Sequence, residues 1–305
     1  MKNIFVLLFV VCLISCKNSD HKLSIESTDK AVLSASVEGK PKSIELNKLW
    51  ETEATLKTAE SVLFDEKRGV YYVSCIGGVP PTKEDGDGFI ALVDQKGKIL
   101  NKSFVTGIDA PKGMALSGGQ LFVTDINELV IINPESGEVI KRIPVEGAKF
   151  LNDVAAAPDG SIYFTDMNTN SVHRYMNKKL ELFLQDESLS NPNGIYVDNE
   201  TIYLASFRKG DFNTVNIESK EITKRVSEVI PGGDGVEPWN GGFFVSNWNG
   251  EVHYVSSDWE TTKVLDIKEE KLNAADIGLN AKSGELLIPT FFGNSVVAYK
   301  ITDVK

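Results

Sequence analysis

The chain has 305 residues, a net charge of −11, 42% hydrophobic residues and 25% charged residues. That balance is ordinary for a soluble globular protein, and the length can bury a large core without disulfides. An acidic surface does not attract phosphate backbones, which argues against a nucleic-acid partner.

The first residues read as a secretory leader. Lys2 supplies the positive end, and Ile4 to Ile14 form an apolar run too short to span a bilayer as a stable helix. The run ends in Leu13-Ile14-Ser15-Cys16, which resembles a bacterial lipobox. On that reading residues 1–15 are removed, Cys16 receives the lipid, and the chain is exported and anchored at a membrane of the cell envelope. A plain leader with an incidental cysteine is the other reading. Residues 16–41 are polar and mixed, as in a flexible tether.

From residue 42 onward the pattern is short apolar strands punctuated by Asp-Gly and Gly-Gly turns. Asn152, Asn193, Asp234 and Ala275 follow one another at steps of 41 residues, each opening the same strand–turn–strand unit. Further copies begin near Glu60 and Pro111, which makes six. A fixed period with four short strands per unit is the signature of a β-propeller. Residues 42–305 are therefore expected to form an all-β, six-bladed propeller. The first copy is about ten residues longer, the excess lying at 77–88 as a loop within the blade. That loop reads equally as a cover over one tunnel mouth or as a surface excursion. The last copy has only three strands, and residues 43–50 supply a spare one before the first copy. Pairing the two closes the ring and removes open sheet edges.

The innermost strand of each blade lines the tunnel, so equivalent positions meet near the axis. At its start stand Glu60, Lys112, Asn152, Asn193, Asp234 and Ala275, with Asp153 and Asp276 in the next slot. A ring of Glu, Asn and Asp oxygens suits a hard divalent cation such as Ca²⁺ or Mg²⁺. Asn and Asp also begin turns, which is the bland alternative for each residue singly.

Glu60, the Pro192-Asn193-Gly194 and Asp234-Gly235 motifs and the pair Asn152-Asp153 together resemble the senescence marker protein/gluconolactonase family, also called regucalcin-like. The resemblance implies one axial divalent metal held by Glu60, Asn193 and Asp234, with Ca²⁺ the first choice and Mg²⁺, Zn²⁺ or Mn²⁺ as others. It implies Asn152 near metal and substrate, and hydrolysis of a lactone or sugar-acid derivative, with Asp234 doubling as base or water-orienting carboxylate. Lys112 reads either as an anion contact or as an ordinary tunnel-mouth or surface lysine. The family's arginine two residues before the Asn-Asp pair is Phe150 here, and its Glu-Gly-Pro is Glu60-Ser61-Val62.

Cys75 reads as a small core residue, and His173 and His253 as structural residues of third strands. Trp239, Trp248 and Trp259 read as blade packing, with Trp248 also placed to face a ligand from a loop. Two functions follow: a metal-dependent lactonase-type hydrolase, or a non-catalytic propeller lipoprotein that binds a ligand or partner. A monomer is expected in either case.

Overall fold

The structure, a computed structural model, describes residues 43–304. The leader, Cys16 and the tether lie outside the described residues. The strand-and-turn repeats fold as six four-stranded antiparallel sheets. The first strand, β1 (Ser43–Glu51), is set apart from the first blade, which comprises β2 (Ala59–Asp65), β3 (Val70–Cys75), β4 (Gly88–Asp94) and β5 (Ile99–Ile108). The second holds β6 (Pro111–Ser117), β7 (Gln120–Asp125), β8 (Glu128–Ile132) and β9 (Val139–Pro144). The third holds β10 (Leu151–Ala156), β11 (Ile162–Asp166), β12 (Ser171–Met176) and β13 (Lys179–Gln185). The fourth holds β14 (Pro192–Val197), β15 (Thr201–Ser206), β16 (Phe212–Asn216) and β17 (Ile222–Val226). The fifth holds β18 (Gly233–Trp239), β19 (Gly242–Asn247), β20 (Glu251–Val255) and β21 (Thr261–Asp266). The sixth runs from β22 (Gly278–Asn280) through β23 (Glu285–Pro289) and β24 (Val296–Val304), then takes β1 as its outer strand.

This is the expected propeller, closed as expected. β1 and β24 pair antiparallel from Ser43–Val304 to Glu51–Val297, with one bulge near Leu49. Neighbouring inner strands touch in the order β2, β6, β10, β14, β18, β22 and back to β2, so they ring the axis. The helical structure among the described residues consists of three short 3₁₀ turns.

The core lies between blades. Successive side chains of a strand point to opposite faces, so one strand serves two neighbours. Tyr71 packs with Leu287 and Ala298 of the sixth blade, while Tyr72 packs with Leu121 and Val123 of the second. Tyr163 faces the fourth blade and Phe164 the second. Each such fully buried aromatic contributes on the order of 2–3 kcal/mol of transfer free energy. Cys75 is buried and free within this packing, and burial pushes its thiol well above the usual range, away from nucleophilic use.

Candidate functional site

The inner strands are irregular where the polar residues stand. Pairing between the first two strands of a blade shifts register between Ala59 and Ser61, between Leu151 and Val154, between Pro192 and Ile195, and between Gly233 and Val236. Glu60, Asn152, Asn193 and Asp234 fall inside these shifts, and Lys112 falls inside the corresponding one of β6. A bulge inserts residues that the ladder does not claim and re-aims their side chains. The Asn-Gly and Asp-Gly pairs, read singly as turns, are thus bulges at the tunnel mouth.

The glycines of these pairs have their own cause. A Cβ on Gly194 would stand 1.6 Å from the Asp234 carbonyl oxygen, and one on Gly235 would stand 2.4 Å from the Ile277 nitrogen. The inner strands approach so closely that only glycine fits between them. Hydroxyls at the ends of the second strands hold the same region. Thr124 donates to the carbonyl of Asn152. Thr165 donates to that of Asn193 at 2.8 Å, and Ser246 to that of Ala275 at 2.7 Å. The aspartate after each threonine fixes the loop before an inner strand. Asp125 accepts from the Asp109 and Ala110 amides, and Asp166 from those of Lys149 and Phe150. This repeated Thr-Asp pair was legible in the sequence, but its positioning role was not.

Glu60, Lys112, Asn152, Asn193 and Asp234 line one cavity of about 330 Å³ at this mouth. All five are buried, so they form its floor. Asn193 hydrogen-bonds the Asp234 carboxylate. Yet Glu60 Oε2, Asn193 Oδ1 and Asp234 Oδ1 are buried without a hydrogen-bond partner. Buried polar atoms are seldom left so, because desolvation is not repaid. Asn152 donates its amide to the Met167 thioether at 2.8 Å, a weak acceptor.

Lys112 is not a surface lysine. Its side chain is fully buried, its ammonium donates to the Ala110 carbonyl at 2.9 Å, and it lies 4.7 Å from the Phe150 ring centroid. Burial lowers its pKa to about 8, with Glu60 and Asp125 pulling the other way. Glu60 is pushed up to about 8 by burial and by the charge of Asp276, which Lys112 offsets in part. Burial, then Glu60 and Asp276, raise Asp234 well above the usual carboxylate range.

Deeper in the tunnel and toward its other mouth lie Asp153, Asp276 and Glu237. Asp276 accepts from the Ser61 hydroxyl at 2.5 Å and shares a hydrogen bond with Asp153. Asp153 in turn accepts from the amides of Val154 and Ile195. These two are tunnel residues, as their slot in the repeat implies, but their oxygens are engaged. The axis therefore carries five carboxyl groups and one ammonium. Such a group must hold protons or a cation. The floor set fits a hard cation by its donors: two carboxylates and one amide oxygen, each with an uncommitted oxygen. No group of three or more His, Cys, Asp or Glu side chains in metal-holding geometry occurs among the described residues.

The walls differ from the floor. Phe150 and Met167 come from the third blade, Phe207 from the fourth, Trp248 from the fifth, and Phe291 and Phe292 from the sixth. The 77–88 loop adds Val79 and Pro81 and so borders this mouth. Both readings of Trp248 are met: it packs against the cluster of Ile76, Ala110, Ile126, Ala275 and Phe291 from other blades, and its ring, 5.7 Å from Phe291 and 5.9 Å from Phe292, stands on the cavity wall. It follows β19 in a loop. Trp239 and Trp259 do pack within the fold, against Phe244 and Phe212. His173 stacks on Phe164 and His253 bonds Glu251, both away from the mouth, as expected for structural residues.

Among solved structures, the chain superimposes on a gluconolactonase from Xanthomonas campestris with a TM-score of 0.63 at 16% identity, covering 88% of this chain and 93% of that one. A streptogramin B lyase gives 0.63 at 11% identity, covering 85% and 98%. The virginiamycin B lyase of Staphylococcus aureus, crystallised in a catalytically inactive form with quinupristin, gives 0.61 at 13%, covering 85% and 100%. These likenesses are of fold, and gluconolactonases, which the motifs resemble, are among the proteins that share it. No family profile matches the sequence, and no curated protein aligns with it.

Proposed function

We propose that the chain is a metal-dependent hydrolase of the gluconolactonase type, opening a lactone or related ester at the tunnel mouth. The observation that carries this is the trio of buried, unpartnered oxygens on Glu60, Asn193 and Asp234 beneath a cavity of small-molecule size. Those three residues would hold one divalent cation, with Ca²⁺ first because the donors are all oxygen. Such a cation supplies Lewis-acid polarisation of a carbonyl oxygen. Asp234 would orient water and take its proton, Asn152 would orient the substrate carbonyl, and Lys112 would contribute positive charge beside the floor. The fold likeness to gluconolactonases supports the reading without fixing the substrate.

A non-catalytic binding propeller is the second reading. Phe150, at the place of the family arginine, and the aromatic walls favour it. Calorimetric titration of chelator-treated protein with Ca²⁺ should show one site, weakened at least about hundredfold in Glu60→Gln and Asp234→Asn through loss of a charged ligand. Turnover of a lactone panel then separates enzyme from binder. An Asp234→Ala variant that retained both the cation and the full hydrolytic rate would remove the basis of the hydrolase proposal.

The exported, lipid-anchored location through Cys16 is likewise our proposal. Incorporation of labelled palmitate, lost in Cys16→Ser, is the test, and an unlabelled wild-type chain would refute it.

A further inference from the structure

The floor and walls of the cavity have opposite chemistry. Every polar side chain that lines it, Glu60, Lys112, Asn152, Asn193 and Asp234, is buried at the bottom. Above them the lining is apolar, supplied by loops of five blades. No serine, threonine, tyrosine, arginine or glutamine lines this cavity. A ligand carrying a hydroxyl on each carbon would lose hydrogen bonds to water along these walls, where the Trp248 indole N–H is the one side-chain donor above the floor.

The aromatic wall is built at a conformational cost. Phe291 has φ of 45°, the left-handed region that a bulky side chain rarely occupies. Its amide is held by the Ala59 carbonyl at 3.2 Å, and its carbonyl accepts from the Asn294 amide at 3.0 Å. Its ring then stands perpendicular to Phe292, with centroids 4.9 Å apart, and edge-on to Trp248. Strain held in place by surrounding structure marks positions with a role beyond packing. Phe292 is 53% exposed and Val79 58%, so the rim presents apolar surface to solvent. The cavity volume is at the lower end for small-molecule sites, enough for a ligand of about 10–15 heavy atoms and too small for a folded partner.

We infer that the occupant of this mouth is a lactone or ester bearing an aryl or alkyl substituent, its carbonyl toward the floor and its apolar group against Trp248, Phe291 and Phe292. The chemistry rests on the hydrolase reading: water adds at the acyl carbon, the ring C–O bond breaks, and the proton passes to the released oxygen to give a hydroxy acid. The binding preference does not rest on it.

The test uses the full chain with Ca²⁺ and three lactones of equal ring size: glucono-δ-lactone, δ-valerolactone and 6-phenyl-δ-valerolactone. Rates are corrected for uncatalysed opening. Binding of the unreactive lactam 6-phenylpiperidin-2-one is measured in parallel by calorimetry. The phenyl lactone should exceed gluconolactone at least about hundredfold in kcat/KM. Phe292→Ser, at an exposed position that does not endanger folding, should raise its KM about tenfold and weaken the lactam equally. Gluconolactone opened as fast as the phenyl lactone overturns this inference and leaves the hydrolase reading standing. Lactam binding sensitive to Phe292→Ser, with no lactone opened, supports the apolar occupant and overturns the hydrolase. Absence of lactam binding together with absence of phenyl-lactone turnover overturns the inference.

Discussion

Gly194→Ala is the sharpest perturbation of the site that changes none of the proposed ligand residues. The new Cβ would fall 1.6 Å from the Asp234 carbonyl oxygen and 2.7 Å from its carbonyl carbon. Unstrained neighbours of a Cβ begin beyond about 3 Å, so β14 and β18 must part by at least about 1.4 Å. The obstacle is backbone, which has no alternative rotamer. The cost should therefore reach the upper part of the overpacking range, about 3 kcal/mol. For a domain of this size that is a fall in Tm of roughly 6–12 °C. Parting these strands also separates Asn193 from Asp234, so the rise in Tm on adding Ca²⁺ should shrink or vanish. Gly119→Ala is the control. Gly119 has φ of 76° with open space at its Cβ, so alanine there meets only the left-handed penalty of about 1–2 kcal/mol and should keep the full Ca²⁺ response. Differential scanning fluorimetry at one scan rate, with chelator and with Ca²⁺, reads both quantities. A Gly194→Ala protein that melts no lower than the control, with an intact Ca²⁺ shift, would refute the close-approach argument.

Stability of the cation-free protein should fall as pH rises from about 4 to about 6. Burial raises Asp276 to about 6 from an ordinary 3.8, so between those values the folded state holds a proton that the unfolded state has lost. The slope for one such group is about 1.4 kcal/mol per pH unit; Glu60, Asp153, Asp234 and Glu237, raised by the same burial, add to the fall, so Asp276→Asn should remove one group's share of it. Urea midpoints in chelator at pH 4.5 and 6.5 measure this, and a midpoint that rises between them contradicts the assignment. Deleting residues 43–51 should expose the edge of β24 and reopen the ring. The shortened protein is expected to aggregate, and a monodisperse peak on gel filtration with wild-type Tm would show that closure is dispensable.

The repeat was legible because the inner strands must recur in register for a ring to close. Asn152, Asn193 and Asp234 could be placed at one mouth from their spacing alone, and Glu60 from its position at the head of the first copy. The wall was less legible. Phe291 and Phe292 follow β23 in a loop outside the repeat register, and the direction of the Phe291 ring depends on a left-handed backbone that no periodicity announces. Lys112 was ambiguous because a lysine in a polar slot carries no sign of its depth. Only the loop held by Asp125 places the Ala110 carbonyl where a buried ammonium can use it. Asp153 and Asp276 were seen as neighbours of the ligand slots, but their shared hydrogen bond joins two blades that are not adjacent in the ring.

The pairing of β1 with β24 also sets a timetable. During synthesis β1 emerges before any other strand of the domain, yet its partner is the last to be made. At about 5–20 residues per second it waits roughly 10–50 s while five blades can assemble from local hairpins. Its alternating pattern sets Ile44, Leu46 and Trp50 on one half-buried face against exposed polar residues on the other, which fixes the register in which it can pair when β24 arrives. The strand that completes the ring is thus also the step that commits the chain to its final form.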